Sequence, residues 1–170
     1  MGGEPGRVWL DLSHFPAEGM IMPKAAPVIL IVDDDEGHAF LVRDSLQEAG
    51  LGNEIEHFHD GQAVLDFFFQ RGPGPFKQKG QSYLLLLDIR MPKVDGVEVL
   101  RQIKADKDLH KLPIIMLTTT EDPREVARCH ELGCNVYLQK PVDYAKFAEA
   151  MRRLGMFITL LLVPPVTERD

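Results

Sequence analysis

Two apolar runs that each end in aspartate constrain the fold of this chain more than any other feature. The run VILIV at residues 28–32 leads directly into three aspartates and a glutamate, and LLLL at 84–87 leads into Asp88. Strands that are apolar on both faces are typical of a parallel sheet covered by helices. Three further strands are predicted at EIEHF (54–58), PIIMLT (113–118) and NVYLQ (135–139).

Helical patterns alternate with these strands. Apolar or small residues recur at helical spacing after the first strand and end at Gly50, namely Phe40, Leu41, Ser45, Leu46 and Ala49. Further helices are predicted over 62–70, around Val94, Val97, Leu100 and Ile103, over EVARCHELG, and from Asp143 onward. Strict alternation predicts an α/β fold, a doubly wound five-stranded parallel sheet with helices on both faces and right-handed crossovers.

The carboxyl ends of the strands are where such a sheet binds ligands. The residues at those ends are Asp33, Asp34, Asp88, Thr118 and Lys140. Crowded carboxylates repel one another unless a pKa rises or a cation binds, and hard oxygen ligands suit Mg²⁺. A simpler alternative is that Asp34 or Asp35 caps the next helix, or that Asp88 is itself only a cap.

A carboxylate surrounded by further acids, a divalent cation, a lysine and a hydroxyl is suited to accepting a phosphoryl group. The cation and the lysine would neutralise charge on the phosphoryl oxygens, and the carboxylate would be the nucleophile.

Four strings, ILIVDDD, LLLLDIRMPKVDG, PIIMLTT and VYLQKP, occur in the order and at the strand ends that this chemistry requires. Together they resemble the receiver domain of bacterial two-component response regulators over residues 28–154. The resemblance implies that Asp88 is the phosphoacceptor, that Asp33, Asp34, Asp88 and the Arg90 carbonyl bind the metal, and that Thr118 and Lys140 hold the phosphoryl oxygens.

The resemblance also implies three finer features. Tyr137 would be the aromatic switch that moves with Thr118, although a strand tyrosine is often simply packed. The Lys140–Pro141 bond would be cis. We further expect the long Arg90 side chain to cover the phosphoryl group and slow its hydrolysis.

The long loop at 71–82 and the segment 103–143 are similar to those of single-domain regulators that serve phytochrome-type histidine kinases. We therefore expect a sensor histidine kinase as partner, with a bacteriophytochrome as the candidate. The stretch after Leu154 is too short for an output domain, so the output is expected to be a protein surface.

The receiver domain is predicted to span residues 27–155, with an extension at each end of the chain. Residues 1–26 lack periodicity and are predicted to be a disordered extension. Residues 156–170 form an apolar C-terminal extension, in which the spacing of Phe147, Met151, Leu154, Ile158 and Leu161 predicts a last helix that reaches about Leu162. We expect this helix and tail to form a homodimer; the alternative is a tail that folds back on its own domain.

The composition limits which binding partners and which cellular location are expected for the protein. Nineteen Lys and Arg against 26 Asp and Glu give a formal net charge of −7, which argues against direct nucleic-acid binding. No apolar run is long enough to span a membrane, and the N-terminus lacks a signal-peptide pattern, so a cytoplasmic location is expected. Cys129 and Cys134 are interpreted as structural thiols, and His57 and His59 as a solvated strand edge.

Two other functions stay open alongside that of a signalling regulator that accepts a phosphoryl group. One is a Mg²⁺-dependent phosphatase with an aspartyl-phosphate intermediate, although such enzymes usually have a second acid where this chain has Arg90. The other is a non-signalling scaffold. A nucleotide-binding flavodoxin-like protein is disfavoured because no glycine-rich phosphate loop follows a strand.

Overall fold

A computed structural model of the chain describes residues 26–159 and Val166. Its strands are β1 (Val28–Val32), β2 (Ile55–Phe58), β3 (Tyr83–Asp88), β4 (Ile114–Thr118) and β5 (Val136–Gln139). Its helices are α1 (Glu36–Glu48), α2 (Gly61–Phe69), α3 (Gly96–Ala105), α4 (Pro123–Leu132) and α5 (Tyr144–Ile158). All strand pairs are parallel, in the order β2-β1-β3-β4-β5. The predicted fold is confirmed.

The apolar strands explain the two cores. Successive side chains of a strand point to opposite faces, so Ile29 and Ile31 pack with α1 and α5, whereas Leu30 and Val32 pack with α2, α3 and α4. Strands β1, β3 and β4 are buried along their whole length. Their two-sided burial is the reason that their sequences show no polar alternation.

An aspartate begins every helix. The N-cap residues accept a hydrogen bond from a backbone N–H two or three residues later, which satisfies one of the free donors of the first turn; they are Asp35, Asp60, Asp95, Asp122 and Asp143. The capping interpretation therefore holds for Asp35. Asp34 is not the cap and stays available to the site.

Two helix predictions differ from the structure. Phe40 belongs to the apolar series that predicts α1, but it is 63% exposed. The face that packs on the sheet contains Ala39, Val42, Ser45 and Leu46. Helix α5 ends at Ile158 rather than near Leu162. The Thr159 hydroxyl donates to the Met156 carbonyl at 2.6 Å and closes the last turn.

One tail residue folds back onto its own domain. Val166 is buried in the core that faces α2 and α3, its N–H donates to the Gln81 carbonyl at 3.0 Å, and its carbonyl accepts from the Gly80 N–H at 3.3 Å. This contact matches the fold-back alternative for that residue. The rest of the tail beyond Thr159, and residues 1–25 of the extension predicted at 1–26, lie outside the described residues.

The connection between α2 and β3 contains neither helix nor extended strand, as the loop prediction stated. Within residues 26–159, no helix combines the length and the apolar character needed to cross a membrane.

Candidate phosphoryl-acceptor site

The parallel sheet brings the predicted site residues to one edge. Asp33 and Asp34 directly follow β1, Asp88 ends β3, Thr118 ends β4 and Lys140 directly follows β5. Each of the three aspartates offers a carboxylate oxygen, and these oxygens lie within 4.8 Å of one another. The strand order places β1 beside β3, so the grouping is a direct result of the topology.

Asp33 is held by groups from several elements. The residue is buried at 3% exposure; its Oδ1 accepts from the Asp35 N–H at 2.9 Å, and its Oδ2 accepts from Lys140 Nζ at 2.6 Å. Its backbone N–H donates to the Phe58 carbonyl at 3.1 Å. Asp33 therefore has a fixed position before any ligand binds.

Lys140 provides the positive charge of the site. Its side chain is 4% exposed, and Nζ lies 2.6 Å from Asp33 Oδ2 and 3.6 Å from Asp88 Oδ1. The Lys140 N–H donates to the Thr118 carbonyl at 2.7 Å, which ties the end of β5 to the end of β4. Loss of either carboxylate would leave the buried ammonium poorly compensated, which would cost the protein much of its stability.

Asp88 is more weakly neutralised by Lys140 than Asp33 is, with Lys140 Nζ at 3.6 Å from Asp88 Oδ1 and 2.6 Å from Asp33 Oδ2. It is 9% exposed, and its Oδ1 accepts from the Ile89 N–H at 2.9 Å. Burial raises the pKa of Asp88, the Lys140 ammonium opposes that rise, and the Asp33 carboxylate adds to it. The metal-free site therefore does not fully stabilise a negative charge on Asp88.

The donor set fits a divalent cation. Three carboxylate oxygens in such close proximity match the hard oxygen ligands that Mg²⁺ prefers, and Asp34 is exposed, so an ion has access from solvent. Asp33, Asp34 and Asp88 would hold the ion. The Arg90 carbonyl stays a predicted fourth ligand.

Thr118 is buried beside these groups. It is fully buried, and its Oγ1 accepts a hydrogen bond from the Thr120 N–H at 3.2 Å. Because that contact uses only a lone pair, the hydroxyl proton is available to an anion.

The Arg90 side chain forms an ion pair with a residue of α4. Its guanidinium lies 3.1 Å from Glu125 Oε2 on α4, and its side chain is 69% exposed. The expectation that it covers the phosphoryl group stays a prediction, and it would require the guanidinium to leave Glu125.

Tyr137 lies partly buried in β5, with a hydroxyl that is unpaired among the described residues. Its ring packs against the core on the α4 side, and its hydroxyl is buried without a hydrogen-bond partner, as is Glu125 Oε1. Burial, together with the nearby Glu125 charge, raises the pKa of Tyr137 to about 12. The switch role itself stays a prediction.

The Lys140–Pro141 bond is not cis, contrary to the expectation from the resemblance. The cis bond in the described part of the chain is Gly74–Pro75. The two isomers of an X–Pro bond differ by only about 0.5–1 kcal/mol, so the dipeptide alone does not decide between them.

His57 is a site residue that the sequence analysis missed. Its Nε2 lies 2.8 Å from the Asp33 carbonyl oxygen, although it was interpreted as part of a solvated strand edge. The sequence did carry a signal, because β2 is parallel to β1 and its last residues reach the same edge of the sheet.

Known proteins resemble the chain along most of its length. The family model described as "Response regulator receiver domain" matches residues 29–152. Rcp1, a response regulator of Synechocystis, is 36% identical over 113 residues, which is 66% of this chain and 76% of Rcp1. The probable methanogenesis regulatory protein FilR2 of Methanothrix harundinacea is 36% identical over 118 residues, 69% of this chain and 74% of FilR2.

Solved structures give the same result. A receiver domain from Rhodospirillum rubrum matches with a TM-score of 0.77 and 38% identity over 83% of this chain and 99% of its own. The Mn²⁺-bound form of Rcp1 matches with a TM-score of 0.72 and 30% identity over 81% and 99%. The bacteriophytochrome response regulator RtBRR matches with a TM-score of 0.65 and 35% identity over 83% and 85%. This chain belongs to the response regulator receiver domain family.

Proposed function

We propose that the chain is a signalling switch that accepts a phosphoryl group on Asp88 from a sensor histidine kinase, in a reaction that requires Mg²⁺. The observation that carries the proposal is the arrangement of Asp33, Asp34 and Asp88 around one possible cation position, with Lys140 Nζ 3.6 Å from the Asp88 oxygen.

The transfer replaces one bond to phosphorus with another. A carboxylate oxygen of Asp88 forms the new P–O bond while the P–N bond of a kinase phosphohistidine breaks, and the imidazole keeps the electron pair. Lys140 and the Thr118 hydroxyl face the oxygens of the incoming group and stabilise their charge. Asp33, Asp34 and Asp88 would hold Mg²⁺, and its positive charge would offset the repulsion between these carboxylates and the negative phosphoryl oxygens.

A metal-dependent receiver site is supported by the Rcp1 relative, whose structure is described as Mn²⁺-bound. The donor set here consists only of oxygens, and that set favours Mg²⁺ as the physiological ion.

Turnover as a phosphatase is disfavoured by the residue two positions after Asp88. That position holds Arg90, whose guanidinium is paired with Glu125. An acid at this position would be needed to protonate a leaving group or activate water. We therefore propose a phosphoacceptor that modifies only itself rather than a classical enzyme.

The bacteriophytochrome response regulator RtBRR supports a phytochrome-type kinase as the donor. Such a kinase would act on the receiver in the cytoplasm. No nucleic-acid contact is part of the proposal, and the output is a protein surface.

A homodimer through α5 is part of the same proposal. Met156 and Phe157 are 58% and 45% exposed near the end of this helix. Phe157 also borders an apolar groove with Val136 and Leu138 of the edge strand β5. Lys146, Glu149 and Arg153 lie along the groove, so two copies related by a two-fold axis would meet with complementary charges.

Incubation with acetyl phosphate tests the switch. With Mg²⁺ we expect one phosphoryl group per chain by intact mass, and none with EDTA or in the Asp88→Asn variant. Continuous release of phosphate over many turnovers would favour the phosphatase. Absence of any adduct in the presence of Mg²⁺ would leave the scaffold.

A further inference from the structure

His57 joins the edge strand β2 to the acidic site through one hydrogen bond. Its Nε2 lies 2.8 Å from the Asp33 carbonyl oxygen. A carbonyl oxygen can only accept, so the ring nitrogen donates the proton. The β1–β2 register ends at Val32 opposite Phe58, so this carbonyl lies beyond the last paired position of β1 and is held by a side chain.

The held carbonyl belongs to the peptide between the two metal-binding acids. A peptide unit is planar, so a fixed C=O direction also fixes the direction in which the chain enters Asp34. The Asp33 carboxylate has its own partners in Asp35 and Lys140. Asp34 differs, because within residues 26–159 no hydrogen bond or ion pair holds its exposed carboxylate. Its position depends on its backbone.

We propose that His57 is a positioning residue for the divalent cation, which acts by fixing the Asp33–Asp34 peptide so that both carboxylates face one point. The inference rests on the proposed function, since it concerns the same cation. His57 would not touch the ion itself. Groups one step removed from a metal orient its ligands, and their loss typically weakens metal affinity about 10–100-fold.

The ring of His57 also contacts His59, with centroids 4.2 Å apart. A test must therefore separate the hydrogen bond from the ring contact. His57→Phe keeps a ring beside His59 and removes the donor, whereas His57→Gln keeps an N–H donor and removes the ring. His59→Phe is the matched control, because it changes the same ring contact and leaves the hydrogen bond to Asp33 in place.

Mg²⁺ affinity of the unphosphorylated chain, measured by titration calorimetry, is the readout. We expect His57→Phe to bind Mg²⁺ about 10-fold more weakly, with His57→Gln and His59→Phe close to wild type. The midpoint of thermal unfolding in EDTA is measured in parallel. If His57→Phe does not fold, His57→Leu replaces it in the comparison.

Equal Mg²⁺ affinity in the wild type and in His57→Phe would overturn the positioning role while leaving the acceptor site intact. Weakening in His59→Phe to the same extent would also overturn it, because the ring contact would then be the cause. A wild type that binds no Mg²⁺ would instead contradict the proposed function.

Discussion

At the scale of single residues, the acceptor carboxyl is held in surroundings that disfavour its charge. Burial raises the pKa of Asp88, Lys140 only partly opposes that effect, and Asp33 adds to it. Because the folded-state pKa lies above the unfolded-state pKa, the folded chain holds more protons than the unfolded chain at pH values between the two. The free energy of unfolding therefore falls as the pH rises through that range.

Removal of the Asp88 charge should therefore stabilise the metal-free protein. We expect Asp88→Asn to raise the free energy of unfolding at pH 7 in EDTA. The gain should shrink as the pH is lowered through and below 3.8, the ordinary Asp pKa, because the wild-type carboxyl becomes neutral in both the folded and the unfolded state there. Urea unfolding at several pH values measures this, with Asp44→Asn on α1 as a carboxylate outside the site. A loss of stability in Asp88→Asn at pH 7 would contradict the account.

The buried hydroxyl of Tyr137 leads to a second prediction at this scale. A buried polar group without a partner costs about 1–3 kcal/mol, and the Tyr137 hydroxyl has no partner among the described residues. Tyr137→Phe should therefore raise the free energy of unfolding by about 1 kcal/mol in the unphosphorylated protein. Chemical denaturation measures the change, and a clear decrease would show that the hydroxyl has a partner in solution.

The sequence identified the residues that meet at the site better than it identified their partners. Asp33, Asp88 and Lys140 follow from the strand ends, because parallel topology brings those ends together. The contacts of Arg90 with Glu125 and of His57 with Asp33 depend on side-chain conformations that no periodic pattern encodes. The predicted cis bond at Lys140–Pro141 failed for a similar reason, since its isomer depends on tertiary context.

At the scale of secondary-structure elements, α3 approaches the acceptor strand at a single glycine. A Cβ at Gly96 would lie 2.0 Å from the Asp88 carbonyl oxygen, and the Gly96 N–H donates to the Ile89 carbonyl at 2.9 Å. Only glycine allows this helix start to lie so near the end of β3.

Gly96→Ala should therefore displace α3 from the acceptor strand. We expect a loss of about 1–3 kcal/mol in the free energy of unfolding and slower phosphorylation by acetyl phosphate. Gly52→Ala is the matched control, because a Cβ there would have no atom within 4 Å. Wild-type stability and wild-type phosphorylation in Gly96→Ala would be incompatible with this close approach.

Element boundaries also show where sequence patterns lose information. Strands β1, β3 and β4 were predicted well because two-sided burial leaves an apolar run bounded by polar residues. The apolar series of α1 does not give its buried face, because Phe40 is large and apolar yet exposed, whereas the smaller Ala39 and Val42 are buried. The end of α5 was predicted too late because the apolar residues continue beyond Ile158, and helical periodicity does not detect a cap at Thr159.

At the scale of the whole molecule, the fold separates the acceptor site from the groove proposed for dimerisation. The acidic site lies at the carboxyl ends of β1 and β3, while the apolar groove lies along β5 and α5. Tyr137 belongs to the same strand as the groove residues Val136 and Leu138, with its ring on the opposite face of β5. A phosphoryl group that favours one position of Thr118 and Tyr137 would shift a two-state equilibrium at the groove.

The dimer prediction belongs to this scale. We expect the wild-type chain to have twice its own mass of 19.2 kDa in light-scattering measurements, and Phe157→Glu to have the mass of one chain because a charge would face the apolar groove. Phe40→Glu, an exposed aromatic on α1, serves as the control and should stay dimeric. A monomeric wild type at high concentration would end this part of the proposal.

Chemical trapping of the phosphorylated residue tests the central claim most directly. After incubation with acetyl phosphate and Mg²⁺, borohydride reduces an acyl phosphate to an alcohol, and peptide mass spectrometry locates the modified side chain. The account predicts reduction at Asp88 alone and none in EDTA. Modification at Asp33 or Asp34 instead, or an unmodified Asp88 peptide with Mg²⁺ present, would contradict it.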